Sequence, residues 1–173
     1  MISEQLKNRW LMLINHFKKL SADYRQMAYS LPMIDGPGNK RSFRGFSSFL
    51  QYEGGERWDV SHWLSECFNE SGCKVIIEAV PKPRTDFESP QQLMAMAVSG
   101  EDTTIQAVNN AIKESIANND VYSKLMFESL LKKCIMERRE VDHVNMKLNM
   151  YNGDMAALLM IDNSLYDKYK TDE

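Results

Sequence analysis

SPQQLMAMAVSGEDTTIQAVNNAIKESIANNDVYSKLMFESLLKKCIMERREVDHVNMKLNMY, residues 89–151, contains two long apolar stripes separated by one polar turn. In its first half Met94, Val98, Glu101, Ile105, Val108, Ile112 and Ile116 recur every three or four residues. In its second half Phe127, Leu130, Cys134, Glu137, Val141, Val144 and Leu148 do the same. That spacing places each set on one face of a helix. Ser89-Pro90 supplies a capping hydroxyl followed by a residue suited to a first helical position, and Ala117-Asn118-Asn119-Asp120 turns the chain. Two helices are predicted, over about 90–117 and 120–151.

The same reading extends outward in both directions. Leu6, Trp10, Leu13, Phe17, Leu20, Tyr24 and Met27 form a stripe over about 4–31. It is expected to break at Leu31-Pro32, ahead of a loop at Asp35-Gly36-Pro37-Gly38-Asn39. A second helix is predicted over 43–71, with Phe46, Phe49, Leu50, Val60, Trp63, Leu64, Cys67 and Phe68 on its apolar side and a stop at Gly72. Gly54 and Gly55 inside it cost about 1 kcal/mol each relative to Ala, so a local compensation is expected. Residues 73–89, with the β-like run Val75-Ile76-Ile77 and prolines 81 and 83, read as an extended connection. A short helix over 154–168 closes the chain. Two helical hairpins joined by a long crossover make an all-α, four-helix bundle with a fifth C-terminal helix, as one domain over 1–173.

Composition narrows the function. A chain of 173 residues with 43% apolar and 26% charged residues is an ordinary globular one. A net charge of -3 and a pI near 5.7 argue against a nucleic-acid binder. No apolar run reaches the length of a membrane span, and the first residues lack a signal-peptide layout. Cys67, Cys73 and Cys134 are odd in number and scattered, as expected of reduced thiols in a cytoplasmic protein. Met12, Met27, Met94 and Met136, at helical spacing, read as core filler rather than haem ligands.

Acids stand where a core should be. Glu101 and Glu137 interrupt the third and fourth stripes, and each lies 18 residues from Asn119, so an antiparallel pair brings them to one level. Glu140, one turn on, is expected to face inward as well. In the first hairpin, residues 16–18 stand opposite 56–58, where Glu56, Asp59 and His62 follow one another at three-residue spacing. Buried carboxylates cost several kcal/mol unless paired, protonated or bound to metal. Carboxylates from several helices with one or two imidazoles suit a dinuclear iron or manganese site. The plain alternatives are a solvated acidic face, or neutralisation by Arg57 or Arg138. His143 makes a Glu140-x-x-His143 pair but points to the flank, as a surface histidine does.

These residues, in this order, resemble the bacterial non-haem ferritins of the ferritin-like superfamily over nearly the whole chain. The resemblance is carried by Gly45-Phe46-Ser47-Ser48-Phe49-Leu50, the stop at Gly72, Phe87-x-Ser89, Tyr24, and Gly153 to Leu165 with Met160-Ile161-Asp162-Asn163-Ser164-Leu165. It implies a homo-oligomeric, commonly 24-meric, hollow iron-storing shell. Each subunit would oxidise two Fe(II) with oxygen or peroxide and pass Fe(III) to a mineral. By position, Glu101 becomes a third-helix ligand, and Glu137 and Glu140 the fourth-helix ligands. Glu56 bridges with Asp59 at the histidine position, or Asp59 bridges with His62 as the imidazole. Tyr24 lies beside the metals. The departure is Phe17, which stands where the family carries its first-helix glutamate; His16 is adjacent to it.

Four functions follow as expectations. One is a ferroxidase and iron store with an altered dinuclear site. Another is a shell subunit without rapid oxidation. A third is a miniferritin-like DNA-protecting shell, which would carry a helix in the long connection. The last is a helical interaction module whose buried acids are paired with Arg57 or Arg138.

Overall fold

The computed structural model describes residues 2–34, 43–151 and 153–170. Its helices are α1 (Glu4–Ile34), α2 (Arg44–Glu70), α3 (Pro90–Ala117), α4 (Val121–Met150) and α5 (Met155–Tyr169). α1 lies along α2, α3 along α4, α1 also meets α3, and α5 packs chiefly on α2. Four long helices with one long connection and a short fifth helix are the four-helix bundle expected from the stripes.

Helix ends follow local chemistry. The Ser89 hydroxyl accepts from the Gln92 N–H at 3.1 Å, with Pro90 at the first helical position. Asp120 caps α4 through the Ser123 N–H, and Asp154 caps α5 through the N–H groups of Ala156 and Ala157. Phe43 precedes α2 at the capping position, but its side chain caps nothing. The cap of α2 comes from α5 instead, where Asp162 Oδ1 accepts from the Phe46 N–H at 2.9 Å. A Cβ on Gly45 would lie 1.7 Å from the Asp162 carbonyl oxygen, so glycine is what lets α5 approach there.

One boundary differs from the expectation. α1 does not stop at Leu31 but passes through Pro32 to Ile34. Proline has no N–H to give the carbonyl four residues back, at Ala28. The Ser47 hydroxyl of α2 donates to that carbonyl at 3.2 Å. A hydrogen bond between helices thus replaces one within the helix. The turn expected at residues 35–39 lies outside the described residues, as does Asn152 of the last turn.

The glycines inside α2 have separate outcomes. A Cβ on Gly54 would meet Arg25 Cγ at 3.0 Å and the Ser21 carbonyl at 3.2 Å, and the Ser21 hydroxyl donates to the Gly54 carbonyl at 2.7 Å. Gly54 therefore allows α1 and α2 to close on each other. Gly55 faces open space and has no such explanation.

The connection over residues 73–89 is extended, as expected. Val75-Ile76-Ile77 finds a side-chain partner in Asn15 of α1, whose amide donates to the Ile76 carbonyl at 3.1 Å and whose oxygen accepts from the Glu78 N–H at 2.9 Å. That contact fastens the crossover to the bundle.

The apolar interior is divided in two. One cluster joins Leu20, Met27 and Leu31 to Phe46, Phe49, Leu93, Met94, Val141 and Leu148. The other joins Trp10, Leu13 and Phe17 to Val60, Leu64, Phe68, Val108, Phe127 and Cys134. Trp10 anchors the second, 4.7 Å from Phe127 and 5.6 Å from Phe68 by ring centroids, with its indole N–H donating to Ser123 at 2.8 Å. Met27 and Met94 are core residues as expected, whereas Met12 and Met136 lie on the exposed side of their helices. α2, α3 and α4 each carry buried polar residues between these clusters: Glu53 and Arg57, Glu101 and Thr104, and Glu137.

Candidate functional site: a carboxylate centre built around Arg57

Leu50, Glu53, Arg57, Val60 and Leu64 follow one another at three- and four-residue steps, so Glu53 and Arg57 lie on the buried face of α2. Arg57 has no solvent exposure at all, and Glu53 has 1%. Opposite them, α3 contributes Glu101 at 0% and α4 contributes Glu137 at 9%. Tyr24 of α1 completes the group, fully buried.

The guanidinium is at the centre. Its Nη1 donates to Glu53 Oε2 at 2.5 Å and its Nη2 to Glu101 Oε1 at 2.7 Å. Nε donates to the same Glu101 oxygen at 3.2 Å and lies 3.7 Å from Glu137 Oε2. The Tyr24 hydroxyl also donates to Glu101 Oε1, at 2.5 Å, and its ring lies 5.0 Å from the guanidinium carbon. Three donors thus converge on one oxygen of Glu101. Among the described residues the other oxygen, Oε2, has no hydrogen-bond partner, nor has either oxygen of Glu137. On the outer side Lys133 Nζ lies 2.9 Å from Glu56 and 3.3 Å from Glu137.

One guanidinium cannot neutralise three carboxylates in a dry interior. Burial pushes the Glu53 carboxyl up to about 7, against the opposing pull of Arg57. Burial raises Glu137 in the same direction, opposed by Arg57 and Lys133. Burial followed by the Glu101 charge holds the Tyr24 phenol well above its ordinary value. Desolvation works against the Arg57 charge, but Tyr24 and the surrounding acids outweigh it and hold Arg57 protonated. Cys134, one turn before Glu137, is pushed up to about 12, first by burial and then by Glu137 and Glu101.

His16 stands beside this centre on α1. Its Nε2 lies 2.7 Å from the Thr104 hydroxyl, whose own proton goes to the Gly100 carbonyl, so His16 is the donor. Burial and Lys19 lower its basicity.

The structure brings together three of the expected site residues: Glu101, Glu137 and Tyr24. It does not bring the others to them. Glu56 lies at the rim, held by Lys133. Asp59 and Glu140 are exposed. His62 is turned to solvent, with its side chain 70% exposed and 3.3 Å from Glu66. Asp59 and His62 thus lie on the outer side of α2, and Glu56 at its rim. Glu53 is not among the residues expected at the site, and Arg57 is expected only as a neutraliser. The signal for both is the continuous step from Leu50 through Glu53 and Arg57 to Val60. Arg138, the other candidate neutraliser, binds Asp102 and Asp142 on the outer surface.

These residues do not fit a bridged pair of iron ions. The guanidinium fills the space between Glu53 and Glu101, Phe17 offers no donor atom, and no imidazole joins the acids. Among the described residues no three His, Cys, Asp or Glu side chains are arranged to hold a metal ion.

The family model described as ferritin-like domain matches residues 13–150. The chain belongs to the ferritin-like family. The open-pore ferritin of the hyperthermophilic archaeon Archaeoglobus fulgidus superposes with a TM-score of 0.89 at 19% identity, over 95% of this chain and 98% of that one. A closed form of the same ferritin, engineered by site-directed mutagenesis, gives 0.88 at 20% identity over 95% and 96%. A humanized archaeal ferritin gives 0.87 at 20% over the same shares. These likenesses are of fold. No curated protein matches the sequence. Within the ferritin-like frame, α5 is short and docks on α2, and among the described residues no helix is long and apolar enough to cross a membrane.

Proposed function

We propose that this chain is a subunit of a hollow iron-storing shell, and that its own bundle centre does not carry out rapid Fe(II) oxidation. The first half rests on membership of the ferritin-like family together with a fold likeness, over nearly the whole chain, to proteins described as ferritins. The second rests on one observation: a fully buried guanidinium lies within hydrogen-bonding distance of two carboxylates and close to a third. Oxidation of paired Fe(II) needs two cations close together with open coordination positions, and a fixed cation among their ligands opposes both.

Among the expected functions, this favours the shell subunit without rapid oxidation over the ferroxidase. The miniferritin-like reading loses support, because residues 71–89 contain no helix. Iron would enter as cargo, oxidised elsewhere in the assembly or by oxygen in solution.

Size-exclusion chromatography with light scattering, followed by electron microscopy after aerobic loading with excess Fe(II), tests the proposal. A closed particle with an electron-dense interior is expected. A monomer or dimer that leaves all the iron as precipitate would overturn the shell reading.

A further inference from the structure

Charge and geometry make the centre more than a damaged iron site. Four carboxylates, Glu53, Glu56, Glu101 and Glu137, meet two side-chain cations. Arg57 serves Glu53 and Glu101, Lys133 serves Glu56, and Glu137 lies between them at 3.7 Å from one and 3.3 Å from the other. The cations occupy an inner and an outer position. Arg57 is wholly buried under the Tyr24 ring, whereas Lys133 lies at the rim with its side chain 43% exposed.

We propose that Arg57 is the resident cation of this centre, a guanidinium that takes the place of divalent metal, and that its removal lets Glu53, Glu101 and Glu137 rearrange around a metal ion. A guanidinium is charged at all accessible pH values and is tethered to α2, so it neither dissociates nor exchanges. Displacing it would require a buried charge to find new partners in an apolar interior, since no part of Arg57 reaches solvent.

The buried oxygens without a hydrogen bond supply the second argument. Glu101 Oε2 is buried without a hydrogen bond, and the two oxygens of Glu137 have only the longer ion-pair contacts, at 3.3 Å to Lys133 and 3.7 Å to Arg57. Desolvated acceptors of this kind are costly, and a cation satisfies them. With the guanidinium gone, three carboxylates face one another around the volume it filled. Hard oxygen donors in that number suit Co(II), Mn(II) or Fe(II). The inference concerns the centre alone and holds whether or not the shell stores iron.

Equilibrium dialysis against Co(II), with metal counted by mass spectrometry and the visible Co(II) absorption recorded, tests it on the assembled protein. The parent and Glu101→Gln should retain equal Co(II), all of it at other sites. Arg57→Ala and the closer-shaped Arg57→Gln should gain Co(II), and adding Glu101→Gln to either should abolish the gain. Lys133→Ala, which keeps Arg57, should stay at the parent level. A loss of Co(II) in Glu101→Gln relative to the parent would overturn the proposal. So would folded Arg57→Ala and Arg57→Gln with no gain, or an equal gain in Lys133→Ala. Should both Arg57 variants fail to fold, the parent and Glu101→Gln still decide, equal content supporting the proposal and a drop overturning it.

Discussion

Arg57 Nη2 and Glu101 Oε1 lie 2.7 Å apart at the middle of the bundle, neither residue exposed to solvent. The pair joins α2 to α3 across the boundary between the two apolar clusters. At that boundary a side chain supplies the positive charge that Glu53 and Glu101 face.

Removing that charge should be costly. Arg57→Met leaves three buried carboxylates facing one another, and breaking a buried ion pair from one side typically costs about 3–5 kcal/mol. Urea unfolding at pH 7 should show a loss of that order. At pH 5, where the acids bind protons more readily, the loss should shrink. An equal loss at both pH values would mean that shape, and not charge, dominates.

The second prediction concerns pH and has a definite sign. Glu53 titrates near 7 in the folded chain, above its ordinary value of 4.5, so between these values the folded state holds more proton than the unfolded one. The associated stability is fully present below about 4.5 and is lost as pH rises through about 7. Glu137, raised in the same direction, adds to the trend. Unfolding free energy should therefore fall across this window by an amount on the order of a few kcal/mol. Glu53→Gln, which cannot ionise, should flatten much of the fall. A parent whose stability rises from pH 4.5 to 7 would contradict the assignment.

A third concerns the attachment of α5. Asp162 supplies the cap that α2 lacks, so Asp162→Ala should cost about 1 kcal/mol, in the range of lost helix caps. Gly45→Ala should cost more, because its Cβ would displace the Asp162 carbonyl. Hydrogen exchange would show the difference: both changes should speed exchange in α5 and the first turn of α2, with Gly45→Ala the larger. Unchanged exchange in α5 would break the link between them.

The thiols give a fourth. Cys67, Cys73 and Cys134 are all free and buried. Cys134 has the strongest reason to be inert, since burial and the neighbouring acids push it up to about 12. Iodoacetamide on the native protein should label Cys134 last of the three, with peptide mass spectrometry as the readout.

The sequence stripes carried the fold because burial imposes a period on every helix, and Glu101 and Glu137 were legible as acids out of place in that period. Their common level followed from equal distances to one turn. Two features resisted. α1 continued through Pro32 because Ser47, distant in sequence, takes the Ala28 carbonyl. The other is the α2 face, since Glu56 lies at the rim and Asp59 and His62 are exposed. Glu56, Asp59 and His62 have the residue types of ligands, and the three-residue steps between them suggested one face without fixing it on the core. Glu53 and Arg57 continue the apolar stripe in position but not in chemistry. Arg57 and Arg138 are equal candidates to pair with the buried acids, and only burial separates them.

The central claim is that this bundle's centre, filled by Arg57, does not turn over iron. Stopped-flow absorbance after adding two Fe(II) per chain to the aerobic, metal-free assembly tests it most directly, with Glu101→Gln run in parallel. The account predicts that both proteins oxidise Fe(II) no faster than buffer. Oxidation well above buffer in the parent, lost in Glu101→Gln, would contradict it.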